Sequence, residues 1–361
     1  MKRLVKNRII FFFCIAALIV LSACETKVSN EPVAKNNAKQ NTSYVQDINS
    51  KDQILDDSND SAGIENVVEE NNKVDIAFSY QGKSYGFRPN VKNFLIMGID
   101  RSGEVEKSDT NIGTGQCDAI YLLTIDYDNK QYAILQLDRD AMVDMNILGV
   151  FGDVVGTEFQ QLCLAHAYGD GAELSCENCV NVISKWLKGV PINGYAALQF
   201  EALPILTDDI GGVKVYIEDD LSSLDNSLVK GTTVNLTGDL AMKFTRARMS
   251  VSDGKNTSRM RRQRTYLAAF KDQFLKQLRA NSNIINTLYS DVKPYMCTNM
   301  SVGAISNAAV KAMDYHFNGI QTIKGINKEN TYDNGMTFME FWADEASLNE
   351  TVINLFCTEV K

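Results

Sequence analysis

Three apolar runs, each carrying an acid at one end, constrain this chain's fold more than any other feature. Residues 93–100 form one run, closing on Asp100 and Arg101. Residues 119–126 follow Asp118 directly, and residues 131–137 lead into Asp138, Arg139 and Asp140. Runs this apolar suit strands covered on both faces. The turn-rich stretch 126–130 makes a hairpin of the second and third. Residues 74–80 alternate apolar and polar as a half-buried strand does, with a turn at 81–83 and a return strand at 84–88. Helical patterns follow at 159–168, 176–187 and 198–208, the last stopped by glycines at 211 and 212. A strand is expected at 213–217, a short helix capped by Thr237 to 244, a long amphipathic helix at 258–288 and another at 302–313. Strands interleave with helices, which predicts an α/β layered domain.

Three acid-bearing ends in one sheet are costly unless positive charge lies between them. The basic partners come later in the chain. Arg246 and Arg248 share a face if that segment is extended, and Arg259, Arg262 and Gln263 share one face of the long helix. Arginines in a first helical turn oppose the macrodipole, so several together suggest a bound anion. Arginine also grips phosphate in a bidentate way that lysine cannot. A solvated basic helix end docking on the acidic surface is the plainer alternative.

The N-terminus addresses the chain. Lys2, Arg3, Lys6 and Arg8 precede an apolar stretch at 9–21, and small residues then lead to Cys24. That is the order of a secretory signal. The segment resembles a bacterial lipobox, which makes residues 1–23 a lipoprotein signal peptide and Cys24 the acylated first mature residue. A plain transmembrane anchor needs about 20 apolar residues, more than this run holds. Either way the chain is expected outside the cytoplasm, tethered to the membrane. Residues 24–74 are polar, with Tyr44 the one aromatic, and read as a disordered stalk before a folded domain at 75–361.

The formal charge is −9, and losing the four basic signal residues makes the mature chain more acidic still. That disfavours general nucleic-acid binding, which needs a basic face. With only His166 and His316, Cys176 and Cys179 lack the partners of a zinc site. Without a thioredoxin-like pattern around them, a structural disulfide or buried thiols is the reading.

The ordered series resembles the LytR-CpsA-Psr family from about residue 90 to 275. The residues that carry it are 93–101, 118–125, 137–140, 165–169, 189–195, 210–215, 236–248 and 259–263. The resemblance implies an α/β/α sandwich with a central mixed sheet. It also implies an extracytoplasmic phosphotransferase that moves a glycopolymer, such as teichoic acid or capsule, from an undecaprenyl-pyrophosphate carrier to peptidoglycan. By position, Asp100 and Asp118 resemble the magnesium ligands. Arg101, Arg139, Arg246, Arg248, Arg259, Arg262 and Gln263 resemble the pyrophosphate-binding set. Asp138 and Asp140, beside Arg139, resemble the catalytic segment, and either could take the acceptor's proton. Magnesium with hard oxygen ligands and charge neutralisation suit such chemistry. A polyprenyl chain needs an apolar channel, for which residues 198–206 and 266–275 are candidates; simple core is the other reading of those faces. Gln116, Cys117 and Leu162 depart from the family pattern, and a Cys117–Cys163 disulfide is expected from their place in it. The departures leave open a non-catalytic binder of polyprenyl phosphates or wall glycans. An exported acidic chain does not suit a transcription attenuator.

Overall fold

The computed structural model describes residues 74–360, apart from 110–112, 150, 248–255 and 282. The signal peptide, Cys24, all but the last residue of the stalk, and Arg248 lie outside the described residues. The elements run β1 (Phe78–Tyr80), β2 (Lys83–Phe87), β3 (Val91–Ile99), β4 (Cys117–Asp126), β5 (Gln131–Leu137), β6 (Met142–Leu148), β7 (Val154–Gln161), α1 (Leu164–Ala167), α2 (Glu173–Trp186), β8 (Gly194–Leu198), α3 (Ala202–Asp209), β9 (Val213–Tyr216), β10 (Thr233–Leu236), α4 (Gly238–Arg246), α5 (Asn256–Ala280), α6 (Ile284–Val292), β11 (Met296–Thr298), α7 (Val302–Ala312), β12 (His316–Thr322), β13 (Gly325–Thr331), β14 (Thr337–Ala343), α8 (Glu345–Phe356) and β15 (Cys357–Val360).

The central sheet has six strands in the order β11-β8-β3-β4-β5-β12. It is mixed: β3 pairs antiparallel with β4 and parallel with β8, and β5 pairs antiparallel with β4 and parallel with β12. Alternation along the strands feeds two cores. Ile96, Tyr121, Leu123 and Ile134 face α3 to α7, packing on Leu203, Phe244, Phe270 and Leu288. Leu95, Met97, Leu122 and Leu135 face α2 and α8, packing on Val182, Ile183 and Val352. Each such aliphatic side chain contributes about 1.5–3 kcal/mol when fully buried. The result is an α/β/α sandwich.

The antiparallel pairings decide where the acids go. The C-terminal end of β3 lies against the N-terminal end of β4, and so does the C-terminal end of β5. Asp100, Asp118 and the 138–140 segment therefore share one edge of the sheet.

Several local expectations differ from the outcome. Residues 159–161 are not helical; they close the strand β7, paired with β6 in the register Met142↔Gln161. Only Leu164–Ala167 of that segment is helix. The long helix ends at Ala280, and α6 begins at Ile284, because Asn281 and Asn283 compete for the backbone: Asn281 Oδ1 accepts from Asn283 N–H at 3.0 Å. Thr237 occupies the N-cap of α4, but its side chain makes no cap bond; Asp208 accepts from Gly238 N–H at 2.8 Å instead. Arg246 ends α4, so it is not on an extended segment. The six described cysteines are buried thiols. Cys117 and Cys163 meet through the backbone, N–H to O at 2.9 Å, and are not bonded through sulfur. The Cys117 thiol donates to Ala119 O at 3.9 Å.

Candidate active site

Arg139 is the hub of the shared sheet edge. Its guanidinium donates to Asp118, to Asp140 Oδ1 at 3.2 Å and to Gln116 Oε1 at 2.9 Å. It is 9% exposed, and Asp118 is 3% exposed. Arg259 approaches from the first turn of α5, with Nη1 4.0 Å from Asp118 Oδ2. Asn256 joins the two sides: its Oδ1 accepts from Arg259 at 2.6 and 3.1 Å, and its Nδ2 donates to Asp138 Oδ1 at 2.7 Å. Distant positive side chains thus fold back onto the early acids.

The acids respond to their surroundings. Burial, then the nearby Asp118 charge, pushes the Asp100 carboxyl up to about 7. Burial, then Asp140, pushes Asp138 up to about 6. Asp100 Oδ1 accepts from the backbone N–H of Gln116. Gly115, at φ +100°, allows that turn; a Cβ there would stand 2.9 Å from Ile99 Cγ2. Asp140 Oδ2 is buried without a hydrogen-bond partner among the described residues. Such a cluster is poised for a cationic or phosphate-bearing ligand.

The other described residues of the expected set make the following contacts. Arg262 binds Asp219 at 3.0 Å and the carbonyls of Phe244 and Ala247, so it ties α5 to the end of α4. Gln263 accepts from Tyr121 Oη at 3.3 Å and Gln136 Nε2 at 3.1 Å, a polar relay on the sheet. Arg246 stacks over the Phe200 ring at 4.0 Å. Arg101 turns toward Gly171, where a Cβ would stand 3.1 Å from its Nη1. The apolar faces of 198–206 and 266–275 are packed core: Leu203, Leu206, Tyr266 and Phe270 are fully covered. Sequence reasoning missed Asn256 and Gln136. Gln136 had a faint signal, as a lone polar side chain inside an apolar run; Asn256 had none.

Asp118 and Asp100 thus lie beside the buried guanidinium groups of Arg139 and Arg259 on the edge of an α/β/α sandwich. The chain belongs to the LytR_cpsA_psr family, whose model matches residues 53–354. It is 26% identical over 203 residues to the polyisoprenyl-teichoic acid–peptidoglycan teichoic acid transferase TagU of Bacillus mycoides (strain KBAB4), covering 56% of this chain and 59% of that protein. It is 25% identical over 229 residues to the corresponding transferase TagT of Bacillus subtilis (strain 168), covering 60% and 64%. The chain thus spans about three fifths of the length of these curated relatives. Among solved structures it resembles TagT bound to LIIa-WTA, with a TM-score of 0.54, 22% identity, and 74% and 90% of the two chains covered. Bacillus subtilis TagV gives 0.54 at 19% identity, covering 74% and 96%. These likenesses show the fold.

Proposed function

We propose that this chain is an extracytoplasmic, magnesium-dependent phosphotransferase. It would move a glycopolymer from an undecaprenyl-pyrophosphate carrier to peptidoglycan while tethered to the membrane through acylated Cys24. The observation that carries this reading is the meeting of Arg139 and Arg259 with Asp118, beside Asp100. Family membership and the names of the relatives support it.

Asp100 and Asp118 fit magnesium, which takes one or two protein carboxylates and completes its shell with phosphate and water. The charge of the ion would neutralise the phosphate oxygens as the bond breaks. Arg139 and Arg259 bind and orient the diphosphate, and the buried edge excludes water from it. The acceptor hydroxyl oxygen attacks the phosphorus nearer the sugar, the bond to the lipid-side phosphate breaks, and polyprenyl phosphate leaves. Asp138 takes the hydroxyl proton; a carboxyl near 6 suits that task close to neutral pH.

The test incubates the purified chain with magnesium, a polyprenyl-pyrophosphate glycan and peptidoglycan, and reads released polyprenyl phosphate. Release by the wild type and its loss in Asp118→Asn are expected. No release with a competent acceptor present overturns the reading.

A further inference from the structure

Two hairpins stand beside the acidic edge, and both expose aromatic rings. On the strands of β6–β7 the exposed ring is Phe159, with Phe151 in the turn; in β13–β14 the rings are Trp342 and Phe338, with Tyr332 at the turn. Phe159, Trp342, Phe338 and Tyr332 are 51, 40, 39 and 42% exposed in that order. Phe159 meets Trp342 with centroids 5.5 Å apart, and Tyr332 meets Phe338 edge-on at 5.8 Å. The pairing register of β13 and β14 puts Phe338, Glu340 and Trp342 on one face, together with Asn330 and Ile326 from across the hairpin.

One carboxylate fixes this face. Glu340 is 1% exposed and accepts from Trp342 Nε1 at 2.9 Å, Tyr332 Oη at 2.8 Å and Asn330 Nδ2 at 2.8 Å. The polar ends of the tryptophan and the tyrosine are satisfied internally, so what they offer outward is ring surface. An exposed apolar cluster held this rigidly marks an interaction site rather than ordinary surface.

The platform is joined to the acids by the backbone. Phe341 N–H donates to Asp140 O at 2.7 Å, and the Gln161 amide bridges Asp140 Oδ1 at 3.2 Å and Met339 O at 2.7 Å. Buried Phe341 anchors the other face of the hairpin in the core. The platform therefore adjoins the chain segment that carries Asp140.

We propose that the joined hairpins bind the acceptor glycan strand, stacking its sugar rings on Trp342, Phe159 and Phe338. This rests on the phosphotransferase reading for its purpose, though not for its test. Pyranose rings carry apolar C–H faces and hydroxyl rims. The C–H faces suit the exposed ring surface of this platform. The hairpins are bonded to the Asp140 segment through Phe341 and Gln161, next to the acids that an acceptor hydroxyl must reach.

The test uses the full chain and purified Gram-positive peptidoglycan sacculi in a sedimentation assay. Trp342→Ala and Phe159→Ala should each weaken retention about tenfold, the equivalent of one aromatic contact. Tyr216→Ala, an exposed aromatic on β9, should bind as the wild type does. A second readout needs no platform variant. The chain has two tryptophans, so Trp186→Phe leaves Trp342 as the sole indole, and soluble peptidoglycan strands should shift its emission. Unchanged retention in both alanine variants, or silent emission at saturating strands, overturns the proposal. So does a Trp342→Ala chain that sediments as a smaller oligomer than the wild type, because the face would then be a self-association surface. Failure of polyprenyl phosphate release with intact glycan binding would sink the phosphotransferase reading alone.

Discussion

Arg139 is surrounded by oxygen: Asp118, Asp140 and Gln116 take its donors in a nearly closed setting. Removing one partner of a buried ionic network leaves the others desolvated and unpaired, a penalty of about 3–5 kcal/mol. Arg139→Ala should lower the urea midpoint accordingly, whereas an exposed arginine such as Arg279 changed the same way should move it little. His166 acts on stability with pH. Its Nδ1 faces Gly115 O at 3.0 Å, its Nε2 is buried without a hydrogen-bond partner among the described residues, and burial lowers its pKa from 6.5 to about 4. Between those values the unfolded chain takes up a proton that the native chain refuses. Stability therefore falls as pH drops from 6.5 to 4, by up to about 3 kcal/mol. Asp138 and Asp100 pull the other way, because their carboxyls are raised to about 6 and about 7, so all three overlap in this range. The histidine's share is isolated by comparing urea midpoints of the wild type and His166→Gln across that range; the variant should lose the acid slope assigned to His166.

At the scale of elements, α5 delivers the positive charge and Asn256 at its first turn locks it in place. Asn256→Ala should cost about 1–3 kcal/mol, because Asp138 and Arg259 each lose a buried partner. It should also slow polyprenyl phosphate release, and chemical denaturation beside a turnover assay checks both. The elements at the centre were legible from the sequence. β3, β4 and β5 announced themselves as apolar runs, because strands buried on both faces leave no other pattern, and the turn at 126–130 fixed their hairpin. The acids at their ends were legible for the same reason. Arg259 was found as a basic residue in a first turn, but its bond to Asn256 was not, since the helix starts two residues earlier than the pattern suggests. Arg262 and Gln263 were grouped with Arg259 by helical spacing, yet small angular differences send one to Asp219 and the other to Gln136. The hairpins β6–β7 and β13–β14 were not legible. β7 and β13 are largely exposed, and β6 and β14 bury only a few side chains, among them Val143, Met145 and Phe341, so hydrophobic alternation along the hairpins is weak.

For the molecule as a whole, the proposed tether and the proposed chemistry make a single demand: the domain must meet a lipid carrier at a membrane surface. Cys24→Ser should abolish incorporation of labelled palmitate into the expressed chain and move it from the membrane fraction into the medium. None of the described helices is long and apolar enough to cross a bilayer, so among the described residues no helix supplies an alternative anchor. The most direct measurement of the central claim is a crystal structure of the chain with magnesium and a polyprenyl pyrophosphate. The account predicts the diphosphate within hydrogen-bond distance of Arg139 and Arg259, with the metal on Asp100 and Asp118. A headgroup bound on another surface, with the Arg139–Asp118 pair undisturbed, would contradict it.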